Sequence, residues 1–284
     1  MQLGVMPPPH RGFLSTPETI QAYALAAEDA GFESIWVFEH MVIPAGYGSR
    51  YPYSPEGRLS IDDEDIPDPL ALLAYLAGVT RRILLGTGVL ILPQRSPVVC
   101  AKECATVDAL SRGRLRLGIG VGWLREEAEA VGTSFDDRGA RTDEAIEVMR
   151  LLWREREATF EGTFTRLTRA MSNPKPARPC GIPILVGGHS RAAARRAGRT
   201  GDGWFPIGLR GDDFAARRDD MRAAALEAGR DPDSIEISYS GPAKGSVVAR
   251  YAAEGVRRWI VPVWGETLDD CRRELDRVAR ELSA

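Results

Sequence analysis

Two short stretches of this chain hold residues that can do chemistry. The first is Glu39-His40, directly after the apolar run Ile35–Phe38. Imidazole is the side chain that exchanges a proton near neutral pH, and the chain has only three histidines, His10, His40 and His189. A histidine at the end of a buried strand with an acid beside it reads as a general acid/base, with His40 moving the proton and Glu39 orienting it. The other reading is a histidine that only hydrogen-bonds a cofactor or caps a loop. The second stretch is Gly187-Gly188-His189-Ser190, between apolar Ile184-Leu185-Val186 and an Ala- and Arg-rich helical segment reaching Arg199. Strand, Gly-Gly, helix builds an anion seat. Glycine lets a phosphate approach the backbone, and the free N–H groups and dipole of the helix start favour negative charge. His189 and Ser190 add side-chain donors. The plain alternative is a tight turn that needs glycine only for its geometry.

These stretches need a frame. The chain alternates strand and helix patterns from end to end, and we read eight strand–helix units. The strands are Gln2–Met6, Ser34–Phe38, Ile83–Val89, Leu115–Ile119, Ile184–Val186, Trp204-Phe205, Ile235–Tyr239 and Trp259–Val263. They read as apolar on both faces, as parallel strands covered by helices are. Helix starts are marked by proline at the first position, as at Pro17 and Pro97. No Pro/Gly/Ser linker divides residues 1–284, so the expectation is α/β, one (β/α)₈ barrel. A doubly wound sheet is the rival, but Gly118-Ile119-Gly120-Val121-Gly122 has Trp123 where the dinucleotide fingerprint needs its third glycine, with no acid about twenty residues on. Two insertions, Met41–Pro67 and Thr159–Pro183, would leave the C-terminal face of such a barrel, where active sites sit. The second carries a hairpin pattern over Thr159–Leu167.

Composition narrows the ligand. A net charge of −3 and a pI near 5.8 argue against nucleic acid or an anionic membrane as partner. No apolar run approaches spanning length and Met1–Met6 reads as a strand, not a leader, so the expected compartment is cytoplasmic. Cys100, Cys104, Cys180 and Cys271 lack CxxC spacing and read as small hydrophobes; no metal site is expected. On a barrel, the residues just past the strands face the ligand. Gly88, Val89 and Arg95 follow the third strand, and Gly120, Gly122 and Trp123 the fourth. Trp123, Trp264 and Tyr47 of the first insertion are candidate walls for a small organic substrate. Arg95, Arg138, Arg141 and Arg191 are the cations that could meet an anionic cofactor, although Arg138 and Arg141 could equally pair with Asp137, Asp143 or Glu144.

The stretches GFESIWVFEH (31–40), ILLGTGVLILPQRSP (83–97), LSRGRLRLGIGVGWLREEAEAVG (110–132), RGARTDEAIEVMRLLW (138–153), FEGTF (160–164) and PILVGGHSRAAARRAGRTGDGW (183–204) resemble, taken together, the bacterial luciferase-like flavin and deazaflavin oxidoreductases, above all their coenzyme F420-dependent branch. The resemblance covers most of residues 1–208 and implies a TIM barrel that forms a homodimer, with the cofactor ring at the barrel mouth. It also implies a non-prolyl cis peptide at Gly88–Val89, an acid–His pair at Glu39-His40 and a phosphate seat at Gly187-Gly188. Two departures stand out: Trp123 occupies the place of a carboxylate found in the sugar-phosphate dehydrogenases of the family, and Ser240–Val256 is short for the seventh unit. The leading expectation is F420-dependent hydride transfer to or from a small organic substrate. The alternative is an FMN monooxygenase supplied with reduced flavin by a separate reductase. A third reading is a barrel that binds without turnover.

Overall fold

Parallel neighbours need a crossover between them, and helices supply it here. In the computed structural model the barrel strands are β1 (Gln2–Met6), β2 (Ser34–Val37), β3 (Leu84–Thr87) continued by the two-residue β4 (Leu90–Ile91), β5 (Leu115–Gly120), β8 (Ile184–Gly187), β9 (Gly203–Phe205), β10 (Glu236–Ser240) and β11 (Arg258–Pro262). A separate antiparallel hairpin, β6 (Ala158–Glu161) and β7 (Arg166–Ala170), fills the second insertion. The helices are α1 (Pro17–Asp29), α2 (Pro69–Val79), α3 (Pro97–Leu110), α4 (Arg125–Ala130), α5 (Arg138–Arg154), α6 (Arg191–Thr200), α7 (Gly211–Glu227), α8 (Gly245–Ala253) and α9 (Leu268–Ser283). The structure describes residues 1–61 and 63–283; Asp62, inside the first insertion, and Ala284 lie outside the described residues.

β1 pairs with β2 and with β11, and Leu85 of β3 pairs with Leu115 of β5, which closes an eight-stranded parallel barrel. This is the (β/α)₈ TIM barrel expected. Successive residues of a strand point to opposite faces, and the two faces differ here. Ile35, Val37, Leu115, Leu117, Ile119, Ile184 and Val186 face the helices and join the large shell core. Trp36, Leu185, Phe205 and Ile260 form a small separate cluster in the lumen, with Met6 and Val89 packed on it. The lumen face is not the continuous apolar surface read from sequence. It carries glycine where Trp36 needs room: a Cβ on Gly86 would lie 2.4 Å from the Trp36 ring, and one on Gly4 would lie 2.9 Å from Trp36 Nε1. Below Trp36 the lumen turns polar, with buried Arg258 donating to Glu33 at 2.8 and 2.9 Å and to Glu236.

The third strand is broken rather than continuous over Ile83–Val89. Gly88–Val89 is a cis peptide, as the resemblance implies. Val89 enters the space beside β5 and β8, where a Cβ on Gly120 would lie 2.7 Å from Val89 Cγ2 and one on Gly187 would lie 2.6 Å from Val89 Cγ1. Those two glycines make room for the valine.

Candidate active site

His40 follows β2 at the C-terminal mouth of the barrel. Its side chain is 8% exposed, and Nδ1 lies 3.1 Å from Glu127 Oε2 on α4. The Glu127 carboxylate is fully buried. Its other oxygen accepts from the Met41 N–H at 2.6 Å and the Val42 N–H at 3.4 Å. A carboxylate accepts only, so Nδ1 is the donor and Nε2 is the ring atom left to exchange a proton with a ligand.

Glu39 was expected to orient His40 and does not. Both residues lie past the end of β2 and line the cavity, but the Glu39 carboxylate is engaged by a different segment. One of its oxygens accepts from the Ile91 N–H at 2.5 Å and the other from Arg95 Nε at 2.9 Å. Burial pushes the Glu39 carboxyl up from its ordinary range, and the Arg95 guanidinium and the Ile91 N–H offset part of that rise. Arg95, expected as a cofactor contact, is committed to Glu39, Asp68 and Glu103. It lies outside the cavity that His40 lines.

That cavity measures about 610 Å³ and is bounded by Glu39, His40, Gly88, Val89, Gly120, Gly122, Trp123, Arg138, Gly187, Gly188, His189, Ser190 and Trp264 among the residues singled out by sequence. Trp123 follows Gly122, whose φ of +81° is a left-handed conformation that suits glycine. The Trp123 ring meets His40 edge-on at 5.9 Å and Tyr51 at 5.1 Å, and Tyr53 continues the row to His189 at 5.0 Å. Burial pushes the Tyr53 phenol up to about 12, so it stays neutral at working pH. Tyr47 was expected in the wall but stands outside the lining. It packs against Trp123 at 5.5 Å, buried, and its hydroxyl accepts from the Leu59 N–H at 3.1 Å. An irregular loop has no period, so which of Tyr47, Tyr51 and Tyr53 faces inward cannot be read from spacing. Trp264 is 58% exposed and forms the rim.

The first insertion is tied down at both ends. Glu126 accepts from the Gly48 N–H at 2.6 Å and the Ser49 hydroxyl at 2.7 Å. The Ser49 hydroxyl draws the Glu126 carboxyl down to about 2, with backbone N–H donors adding to the effect. At the far end Glu64 accepts from the Arg11 N–H at 2.7 Å and Asp65 from the Gly12 N–H at 2.6 Å. Nothing in the local sequence pattern shows that Glu126 and Glu127 hold the loop and the histidine.

Opposite this wall, Gly188 leaves β8 at φ +116° and Ser190 caps α6, its hydroxyl accepting from the Ala193 N–H at 3.1 Å. Arg138 lies 3.7 Å over the Phe135 ring and lines the same cavity. Arg141 pairs with Asp137 at 2.7 Å and Arg191 with Asp220 at 3.0 Å. Neither lines the cavity, so of the four arginines considered Arg138 alone reaches it. His189 Nδ1, Arg138 Nε and Trp123 Nε1 are buried without a hydrogen-bond partner among the described residues.

A family model for luciferase-like monooxygenases matches residues 1–280. The chain belongs to that luciferase-like family. An uncharacterised protein of Mycobacterium tuberculosis is 37% identical over 238 residues, 83% of this chain and 78% of that protein. An F420-dependent glucose-6-phosphate dehydrogenase of Kineococcus radiotolerans is 32% identical over 234 residues, 79% of this chain and 64% of that one. Among solved structures, an F420-dependent secondary alcohol dehydrogenase in complex with an F420–acetone adduct superposes with a TM-score of 0.80 over 99% of this chain and 98% of that one, at 18% identity. The monooxygenase RslO1 from Streptomyces bottropensis gives 0.76 over 100% and 99%, at 23% identity. At such identities the likeness shows the fold. The luciferase-like chain is an enzyme. Among the described residues no helix is long and apolar enough to cross a membrane.

Proposed function

We propose that the chain is an F420-dependent oxidoreductase acting on a small organic substrate held beneath the first insertion. One observation carries this reading: a single cavity joins a carboxylate-anchored histidine, His40 on Glu127, to an anion seat at the start of α6. The residues fit a phosphate-bearing tricyclic cofactor. The left-handed Gly188 opens the backbone, and His189 and Arg138 hold buried nitrogens with no partner among the described residues. Ser190, His189 and Arg138 would hold the phosphate, and Val89 and Gly120 would lie beneath the ring. When bound, the deazaflavin supplies the hydride donor or acceptor. His40 holds or moves the accompanying proton at Nε2, and Glu127 fixes its tautomer. Tyr51, Tyr53 and Trp123 exclude water from that end of the cavity.

F420-dependent relatives support the choice of cofactor, and FMN is the alternative that the family's monooxygenases keep in view. The test is His40→Ala. The expected outcome is a fall in turnover of about 10²–10⁴, the usual worth of proton transfer, with cofactor affinity within a few-fold of the parent. Unchanged turnover removes the acid/base role. We extend the proposal to assembly: Tyr75 of α2 and Val98 and Val99 of α3 are exposed and form the face of a homodimer. A solution mass of one chain at micromolar concentration would remove that claim.

A further inference from the structure

We infer that the substrate of this site is an uncharged, largely apolar carbonyl compound or the corresponding alcohol, and not a phosphorylated sugar. The inference rests on the oxidoreductase reading and adds the substrate class to it. In the closed strand order β1, β2, β3, β5, β8, β9, β10, β11, the strand opposite β8 is β1. The anion seat and the β1–β11 wall therefore face each other across the barrel mouth. That wall is made by Pro7, Pro8 and Pro9 after β1 and by Pro262, Val263 and Trp264 at the end of β11. None of these side chains carries a charge. Proline has no N–H to offer, and the Val263 N–H is already given to the Met6 carbonyl at 2.9 Å. A phosphate placed here would meet neither a cation nor these backbone donors.

The segment that follows the three prolines carries acids of the first insertion, outside the cavity lining. Asp63, Glu64 and Asp65 are held over residues 11–15, with Arg11 the cation paired to Asp63. The Ser15 hydroxyl and the Gly12 N–H keep the Asp65 carboxyl below its ordinary range, so it stays negative there. Two cations line the cavity, Arg50 and Arg138. Arg138 sits at the start of α5, where Arg196 of α6 donates to the neighbouring Gly139 carbonyl at 3.2 Å, which places it on the side of the seat. Arg50 is folded over its own turn, close enough that a Cβ on Gly57 would lie 2.8 Å from its Nε. A second phosphate, on the substrate, would find no cation on the β1–β11 wall. A neutral carbonyl compound finds Trp264, Val263 and the prolines as apolar surface and His40 as its proton partner. In the reductive direction the carbonyl carbon gains a hydride and its oxygen a proton, two electrons in all. The co-reactant is then the reduced deazaflavin, and His40 gives up the proton.

The test uses the full chain with acetophenone and glucose 6-phosphate as probes. Saturation-transfer NMR on the protein with its phosphate seat filled by saturating oxidised F420 reads binding, and kcat/KM with reduced F420 and acetophenone, or oxidised F420 and glucose 6-phosphate, reads turnover. Expected are saturation of the acetophenone ring, at least a fivefold loss of that binding in Trp264→Ala, no saturation of glucose 6-phosphate, and a higher kcat/KM for the ketone. Trp264→Arg places a cation on the wall and is expected to admit glucose 6-phosphate. Turnover of glucose 6-phosphate above that of the ketone overturns the inference, as does saturation of the sugar phosphate alone. Ketone binding by a protein that fails to bind F420 supports the substrate class while overturning the oxidoreductase reading.

Discussion

The replacement Glu127→Gln separates orientation of the histidine from the mere presence of a buried polar group. One Glu127 oxygen serves the Met41 N–H at 2.6 Å and the other faces His40 Nδ1 at 3.1 Å. Glutamine keeps the amide oxygen for Met41 and turns an NH₂ donor toward His40. Nδ1 must then accept, and the ring proton moves to Nε2, where the neutral imidazole has lost its acceptor for substrate protons. The stability cost is one charge-assisted hydrogen bond, about 1.5–3 kcal/mol, which for a chain of this size lowers Tm by a few degrees and leaves the protein folded at 25 °C. The catalytic cost is larger, about 10²–10⁴ in kcat. Steady-state kinetics should show the loss in kcat with the KM for cofactor nearly unchanged, and the solvent deuterium isotope effect on kcat should rise as proton transfer becomes limiting. A kcat within twofold of the parent, or a loss confined to cofactor KM, would refute the assignment.

Other outcomes follow from the same geometry. Gly120→Ala puts a Cβ 2.7 Å from Val89 Cγ2 and should cost about 1–3 kcal/mol by overpacking; in a Val89→Ala background the cost should largely vanish, and a thermal-unfolding double-mutant cycle that finds no coupling sinks the packing account. Gly188→Val forces a β-branched residue to φ +116° beside the seat and should weaken phosphate-bearing cofactors at least tenfold, which equilibrium titration would read. The Glu126 carboxyl is depressed from 4.5 to about 2. Its anchoring of the loop is therefore complete above pH 4.5 and is lost as pH falls toward 2. Amide signals of Gly48 and Ser49 should hold steady from pH 7 to 5 and move below that; movement at pH 6 would show that the anchor is another group.

Much of the frame was legible because local chemistry marks it. Pro17 and Pro97 open their helices, Gly31 closes the first turn at φ +85°, and the apolar outer faces of the strands match the shell core. What escaped is set by contacts between distant segments. The cis peptide at Gly88–Val89 came from the family resemblance, but the break in the strand and the packing of Val89 against glycines of β5 and β8 are announced by no local pattern. Glu39 and His40 are adjacent in sequence but bond to different segments, and the partner of His40 lies 87 residues away. Arg95 looked free among apolar neighbours and is held by three acids from other segments. The glycine turn and the Ser190-capped helix start proposed as an anion seat were legible because they lie within one short stretch.

The central claim, that the cavity between His40 and the start of α6 holds F420 for hydride transfer, is tested most directly by equilibrium titration of the purified protein with F420, FMN and FAD, each oxidised and reduced. The account predicts that F420 binds most tightly in at least one redox state, and that Gly188→Val weakens it while His40→Ala leaves it within a few-fold. Tighter binding of FMN than of F420 in both redox states would contradict the account and favour a flavin monooxygenase.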